Sequence, residues 1–351
     1  MFEYVGVIHV HSSFSDGTGK CDEIANYANE VGLDFCLLSD HNTLRGKDSG
    51  FEGWYGNSLL LIGCEINDKF NKNHYLAFGI DKTPSTRLPA KEYVKFVKDS
   101  GGVGFIAHPF EKRSSMKEHP PYPWNEWESQ DFNGIEIWNH MSEWMEGLTE
   151  ENKYNYFVHP LRSVVGPNAD SIKMWDKLNQ QRKVVGIGGI DAHAHKVNLL
   201  GFFEVEVFPY KVLFKSVRTH ILSSEKLEPK KGKKFNSIDN DKKIIYSSLA
   251  EGRCFVSNFY RGDAKGFRFF AQAGGKIYQM GDTIKKIGKV NLKVILPNIS
   301  GKIYLIRNGE VVDQMENSEA DFIVNSKGNY RVEVFLDNSP WIYSNHIRIG
   351  D

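Results

Sequence analysis

Apolar residues follow two rhythms along the chain. Up to about residue 222, short runs rich in Val, Ile, Leu and Phe alternate with stretches of helical spacing. "EYVGVIHV", "LDFCLLSD", "SLLLIGCEI", "HYLAFGI", "GGVGFIAHP", "NGIEIWN", "KVVGIGGID" and "GFFEVEVF" read as strands. Most are near-continuously apolar, as strands buried on both faces are. "CDEIANYANEVG" sets Ile24, Ala28 and Val31 on one helical stripe with Gly32 as a stop, and "PAKEYVKFVKDSGG" and "ADSIKMWDKLNQQRK" read the same way. Strand and helix in alternation predict parallel pairing, and seven or eight such repeats predict a closed or nearly closed β/α barrel.

Residues 223–243 interrupt this rhythm with a lysine-rich polar stretch that reads as a solvated loop, and the helix-like "KKIIYSSLAEGR" follows. Beyond residue 262 the helical period gives way to alternation in "GFRFFAQAGG", "KVNLKVILP", "GKIYLIRNGEVVDQ", "ADFIVNSKGNYRVEVFLD" and "IYSNHIRIG", with an Asn-Gly hairpin turn in "RNGE". The expected organisation is an α/β barrel over residues 1–262 and a small all-β sandwich over 263–351.

Composition narrows the partners. Lys plus Arg and Asp plus Glu are 44 each, so no global field attracts duplex nucleic acid or an anionic membrane. No apolar run reaches the roughly 18 residues of a membrane span. "MFEYVG" lacks the basic start of a signal peptide, which predicts a cytoplasmic location. Cys21, Cys36, Cys64 and Cys254 show no C-x-x-C spacing and read as buried free thiols of a reducing compartment. Nothing in the sequence specifies an oligomeric state.

The chemistry lies in where the polar residues fall. His9 and His11 end the first run, Asp40 and His41 the second, Glu65 the third and His108 a later one. Glu136 and Asn139 end "NGIEIWN", and Asp191 and His193 end "GIGGIDAHAH". In an extended chain His9 and His11 share a face, with Asp16 close behind. His74 starts its run instead of ending it. In β/α barrels the carboxyl ends of the strands open onto one active face. A single strand-end His or Asp is commonly a turn former or a satisfied polar residue, and His119, His140, His159, His195, His220 and His346 are read that way. The whole set, drawn from separate strands, points to metal. Nine candidate ligands exceed what one four- to six-coordinate ion uses, and a His/Asp/Glu set without thiolate suits two or three borderline divalent ions such as Mn, Zn or Fe. Such clusters serve hydrolysis, particularly of phosphate esters.

"HVHSSFSDG", "LSDHNT", "GCEI", "AHP" and "GIDAHAH", in this order, resemble the polymerase and histidinol phosphatase (PHP) superfamily of metallohydrolases over about residues 5–258. The resemblance implies a distorted (β/α)7 barrel with a trinuclear centre and a metal-bound hydroxide. His9, His11, Glu65 and Asp191 would hold the first ion. Glu65 would bridge to a second held by His74 and His108, and Asp16, His41 and His193 would hold the third. Histidinol phosphatases carry a histidine where this chain has Asp16. The pattern is closer to small phosphoesterases and 5′-to-3′ exonucleases acting on short oligonucleotides. "LAEGRCFVSN" followed by a β-domain resembles the carbaryl-hydrolase-like branch, which cleaves esters or carbamates.

The leading expectation is therefore hydrolysis of a small phosphorylated substrate, with exonuclease and ester hydrolase as alternatives and a non-enzymatic scaffold carrying a β binding module as the remaining one. Arg45, Lys112 and Arg113 follow strand-end motifs and are candidates to meet a phosphate. Leaving-group protonation falls to metal-bound water or His195. Asp40 is expected either to orient a metal-bound histidine or to cap a helix. In "PPYPWNEWESQDF", Tyr122, Trp124 and Trp127 either stack bases or form a packed lid.

Overall fold

In the computed structural model, residues 1–113, 120–199, 203–229, 238–285 and 288–350 are described; His119 and part of the lysine-rich stretch lie outside them. β1 (Phe2–Val10) pairs in parallel with β2 (Phe35–Leu38), and β2 in parallel with β4 (Ser58–Ile62). β3 (Gly53–Tyr55) closes that edge as a hairpin partner of β4. A second sheet follows in the order β5 (Cys64–Ile66), β6 (Tyr75–Phe78), β7 (Val103–Ile106), β8 (Gly134–Asn139) and β9 (Val185–Gly189). The chain passes from β4 to β5 at Gly63, where a Cβ would fall 2.2 Å from the Ala77 carbonyl oxygen.

The mixed α/β character expected of a closed or nearly closed β/α barrel is present, and the structure departs from that expectation in two respects. Among the described residues the two sheets are joined by the isolated bridges Val10 to Ala192 and His41 to Glu65 and by no continuous ladder, so they form no closed ring. β6 runs antiparallel to both β5 and β7. Only residues 67–74, with no helix, separate β5 from β6, and a parallel connection needs a crossover of about a dozen residues or more. The architecture is mixed α/β.

Continuous apolar runs arise because both strand faces are covered. Ile8, Leu37, Leu61, Leu76, Phe105 and Ile187 share one buried cluster. Their alternates, among them Val7, Cys36, Leu60, Ala77, Ile106 and Ile135, join another with the helices. α1 (Cys21–Glu30) contributes Ile24, Ala25 and Ala28, and the short α2 (Arg45–Asp48) follows β2. α3 (Ala90–Asp99) contributes Tyr93, Val94 and Val97. α4 (His140–Gly147), α5 (Lys153–Val158) and α6 (Ala169–Asn179) lie between β8 and β9. No helix among the described residues is long and apolar enough to cross a membrane.

After the hairpin of β10 (Lys196–Leu199) and β11 (Phe203–Glu206) come the short α7 (Tyr210–Leu213) and β12 (Val217–Ser223), antiparallel to β1. α8 (Asp239–Glu251) ends at Gly252, whose φ of 76° is the left-handed stop that glycine tolerates. β13 (Cys254–Asn258) pairs with β12. Farther along, β14 (Arg268–Ala273), β15 (Lys276–Gln279), β17 (Val290–Ile295) and β20 (Glu319–Val324) form a separate sheet. β16 (Thr283–Ile284), β18 (Gly301–Arg307), β19 (Glu310–Asn317), β21 (Gly328–Leu336), β22 (Ser339–Ser344) and β23 (Ile347–Ile349) extend the main sheet, because β22 pairs with β13. Both layers supply one apolar cluster that includes Phe269, Leu292, Phe322, Leu305, Val332 and Ile342. Asn308 and Gly309, with φ of 53° and 94°, make the turn that "RNGE" predicts.

The all-β segment is tied back to the helices by charge. Arg331 on β21, almost fully buried, donates to both carboxylate oxygens of Asp176 on α6 at 2.8 and 2.7 Å. His346 Nε2 meets Asp176 Oδ1 at 2.9 Å. All four cysteines are buried and free of disulfides.

Candidate metal centre

The strand ends converge. Four overlapping groups of side chains present ligand atoms within 4.8 Å of one another: His11, Asp16, His41 and His193; His9, Glu65 and His108; His9, His11 and Asp191; and His41, Glu65 and His74. All nine candidate ligands named from the sequence fall in these groups. The first group contains the third-ion set implied by the resemblance, with His11 added.

His9 and His11 meet by a different route from the one expected. The β1 and β2 register slips between Ile8 and Val10, so His9 is the extra residue of a bulge with φ of 67°. His108 and Asp191 also adopt positive φ, of 26° and 52°. Such backbone costs on the order of 1–3 kcal/mol per residue and is held only where the surroundings over-determine it. His74 joins the group because β6 is reversed. The start of an antiparallel strand lies at the edge where its parallel neighbours end, and Ala107 N donates to the His74 carbonyl at 3.1 Å.

Glu65 is the hub. Its Oε2 lies 3.2 Å from His9 Nε2, 3.3 Å from His11 Nε2 and 3.4 Å from His41 Nδ1. Its Oε1 lies 2.8 Å from His74 Nδ1 and 3.2 Å from His108 Nε2. Asp191 Oδ1 lies 3.3 Å from the Nε2 atoms of both His9 and His11. Asp16 lies 3.3 Å from His193 and 3.5 Å from His11 and His41, on the solvent side, with its side chain half exposed.

Buried charge on this scale demands a partner. Burial opposes ionisation of Glu65 and Asp191, yet the surrounding histidines hold both carboxyls well below the usual range. Burial likewise opposes protonation of His11 and His108, but Asp191 and Glu65 push His11 up to about 10, and Glu111 and Glu65 push His108 up to about 9. Even so, His9 Nε2, both nitrogens of His11, His41 Nδ1, His74 Nε2 and His108 Nδ1 are buried without a hydrogen-bond acceptor or donor among the described residues. Orphaned imidazole nitrogens around ionised carboxylates fit divalent cations. Cations bound here would replace protons, so metal uptake is expected to release protons and to tighten as pH rises, because the folded pKa values of His11 and His108 are raised. Calorimetry in buffers of different ionisation enthalpy measures that release.

A second set of groups aims the first. Glu136 Oε1 accepts from His9 Nδ1 at 3.0 Å, both side chains being fully buried. The carboxylate keeps a hydrogen on Nδ1, so that Nε2, beside Glu65 and Asp191, would be the nitrogen to take a cation in place of a proton. Glu136 Oε2 in turn accepts from His108 N and Asn139 Nδ2, each at 2.8 Å. Gly189 makes room for this contact, since a Cβ there would lie 1.6 Å from Glu136 Oε1. The sequence placed Glu136 at a strand end but gave no sign of its partner, which is 127 residues away. Glu136→Gln is expected to weaken metal affinity about 10- to 100-fold while leaving the fold intact; competition with a chelator of known affinity measures it.

Asp40 plays neither role expected of it. It accepts from Ser12 N, Ser12 Oγ and Ser15 Oγ at 2.8, 2.6 and 2.7 Å, fixing the loop that carries Asp16. His193 Nδ1 donates to the Asp191 carbonyl at 2.9 Å, turning Nε2 toward Asp16.

A cavity of about 480 Å³ opens over the cluster, lined by the candidate ligands other than His9 and His11 and by Asn71, Arg113, Tyr122, His195, Lys196 and an apolar group. The sequence expectation for Arg45 is corrected: it is exposed, sits 5.1 Å over the Phe14 ring and does not line the cavity. Lys112 also lies outside and pairs with Asp170 at 3.0 Å. Arg113 reaches the cavity, held by the buried Glu111 and stacked 5.4 Å from Tyr122. Tyr122 stacks on His74 at 4.9 Å, whereas Trp124 is buried at 2% exposure and packs against Tyr75. Trp124 is thus part of a packed covering and presents no face for a base. His220, between Glu3 and Ser257, is a satisfied core histidine, His346 is buried with Nε2 on Asp176 and Nδ1 without a partner among the described residues, and His159 is exposed.

No family model matches the chain, and no curated protein matches it significantly. Among solved structures it is similar to a two-domain protein from Bacteroides vulgatus containing a predicted PHP-like metal-dependent phosphoesterase: 15% identity, TM-score 0.45, over 98% of this chain and 95% of that one. A protein from Bifidobacterium adolescentis, described as a metal-dependent phosphoesterase, matches at 17% identity and TM-score 0.31 over 57% of this chain and 92% of its own. An amidohydrolase from Chromobacterium violaceum with bound sulfate and no metal matches at 13% identity and TM-score 0.32 over 54% and 87%.

Proposed function

We propose that this chain is a metal-dependent hydrolase that cleaves phosphate esters of small molecules. The observation that carries the reading is Glu65, a buried carboxylate ringed by nitrogens of five histidines at the floor of a cavity that also holds Arg113. Two or three divalent ions, Mn, Zn or Fe, would be held by His9, His11, Glu65 and Asp191, by Glu65, His74 and His108, and by Asp16, His41 and His193. When bound, such ions acidify water and neutralise the non-bridging oxygens of a phosphate. We read the two sheets that carry the ligands as parts of one distorted seven-stranded β/α barrel over residues 1–262, with the all-β segment 263–351 as a separate domain.

The chain's own residues supply the rest. Arg113, positioned by Glu111, offers a guanidinium to the phosphate at the cavity wall. His195 stacks on His193 with ring centres 5.0 Å apart and lines the cavity, which places an imidazole where a leaving oxygen can take a proton. Glu136 and the Asp191 carbonyl fix the hydrogens of His9 and His193 away from the cluster.

The test is a short 5′-phosphorylated oligonucleotide incubated with Mn-loaded protein, with His9→Ala as control. Free phosphate supports the phosphatase reading. Mononucleotides point to the exonuclease alternative, and absence of turnover on this and on simple phosphate esters points to carboxylic or carbamic esters.

A further inference from the structure

One side of the cavity is apolar. Met141, Trp144, Met145, Phe157, Val207 and Phe208 line it together with the candidate ligands. Three of their rings form a single cluster: Trp144 lies 4.7 Å from Phe208 and 5.0 Å from Phe157, and Phe157 stacks on Phe208 at 6.0 Å and 12°. The one polar atom of that cluster is engaged, since Trp144 Nε1 donates to the Tyr156 carbonyl at 3.1 Å. Trp144 and Phe208 are buried, but Phe157 is 43% exposed, a large apolar ring left in water beside the site.

From this we infer that the apolar wall is the leaving-group subsite, and that the preferred substrate is a phosphate monoester of an apolar, ring-sized alcohol. The inference rests on the phosphoesterase reading above and names its substrate class. Beyond the weakly accepting thioethers of Met141 and Met145, the side chains of this wall offer no free donor or acceptor, so a nucleobase or sugar placed against them would lose hydrogen bonds to water with little replacement, whereas an aromatic or aliphatic body loses none. The cavity of about 480 Å³ accommodates a phosphate and such a body together. The remaining lining, with Arg113, Asn71, His195 and Lys196, suits the anionic end. In the reaction the oxygen of water bonds to phosphorus, the bond from phosphorus to the alcohol oxygen breaks, and that oxygen takes up a proton. The products are inorganic phosphate and the apolar alcohol.

The experiment compares ethyl, phenethyl and naphthylethyl phosphate as substrates of the Mn-loaded full chain and of Phe157→Ser, and in parallel measures by calorimetry the binding of the matching phosphonates. The three alcohols have nearly equal acidity, so differences in kcat/KM report binding of the apolar body. We expect kcat/KM and phosphonate affinity each to rise at least about tenfold across the series. Phe157→Ser should shrink the naphthylethyl-to-ethyl ratio several-fold. Graded phosphonate binding without phosphate turnover would keep the subsite and overturn the phosphoesterase reading. Phosphate turnover with no grading in either series would overturn the subsite and leave the reaction class standing. Neither turnover nor grading would overturn both.

Discussion

Glu65→Gln is expected to lower kcat/KM further than the about 10- to 100-fold that loss of an outer partner costs, and to remove bound metal as well. An amide matches the carboxylate in shape but has one acceptor oxygen, no charge and a donor group. Oε2 now faces nitrogens of His9, His11 and His41, and Oε1 those of His74 and His108. One of those two faces would meet an NH₂ instead of a carboxylate oxygen, and Glu65 would lose the negative charge with which it could serve cations on both sides. Asp16→Asn should cost less, because Asp16 is half exposed and lies beside three histidines, His11, His41 and His193, where Glu65 lies beside five. Turnover and metal content measured on the same preparations decide the order. Near-wild-type turnover and full metal content in E65Q would overturn the assignment of Glu65 as the hub.

Asp176→Asn is expected to destabilise the fold by up to about 3–5 kcal/mol, the cost of removing one partner of a buried ion pair. Arg331 is 1% exposed and gives two hydrogen bonds to Asp176, so the neutral amide would leave the Nε and Nη2 edge of the guanidinium without its anion between α6 and β21, while Glu333 keeps Nη1 at 2.6 Å. Burial raises the pKa of Asp176, but Arg331 and His346 outweigh it and hold the carboxyl well below the usual range. Because the folded value is depressed, the stabilisation is fully present above the unfolded value near 3.9 and is lost as pH falls through the lower folded value. The gap between wild type and D176N in denaturant midpoint, at constant slope, should therefore hold through neutral pH and narrow below about pH 4. Asp176→Leu combined with Arg331→Met should recover much of the loss, as an apolar pair requires no charge compensation.

The two parts of the structure were legible to different degrees. Most of the candidate ligands could be named from position alone, since His9, His41, Glu65, His108 and Asp191 each close an apolar run. His74 fitted poorly because the rule assumes parallel strands, and the reversal of β6 becomes evident only once the short β5 to β6 connection is recognised as a hairpin. The bulge at His9 has no mark in the residue pattern, as the extra residue is apparent only against its partner strand. Glu136 and Asp176 escaped for a third reason. Each acts through a side chain more than a hundred residues away, and no local period encodes such a pairing. Arg45 failed because proximity to a motif in sequence does not fix the direction of a long side chain, here turned onto Phe14.

The most direct test of the metal centre is the number of ions retained per chain after dialysis against metal-free buffer, measured by elemental mass spectrometry on wild type and E65Q. Two or three ions per wild-type chain, with a clear loss in E65Q, is the predicted result. Wild-type protein that retains none when Mn, Zn and Fe have each been supplied, or E65Q that retains as many as wild type, would contradict it.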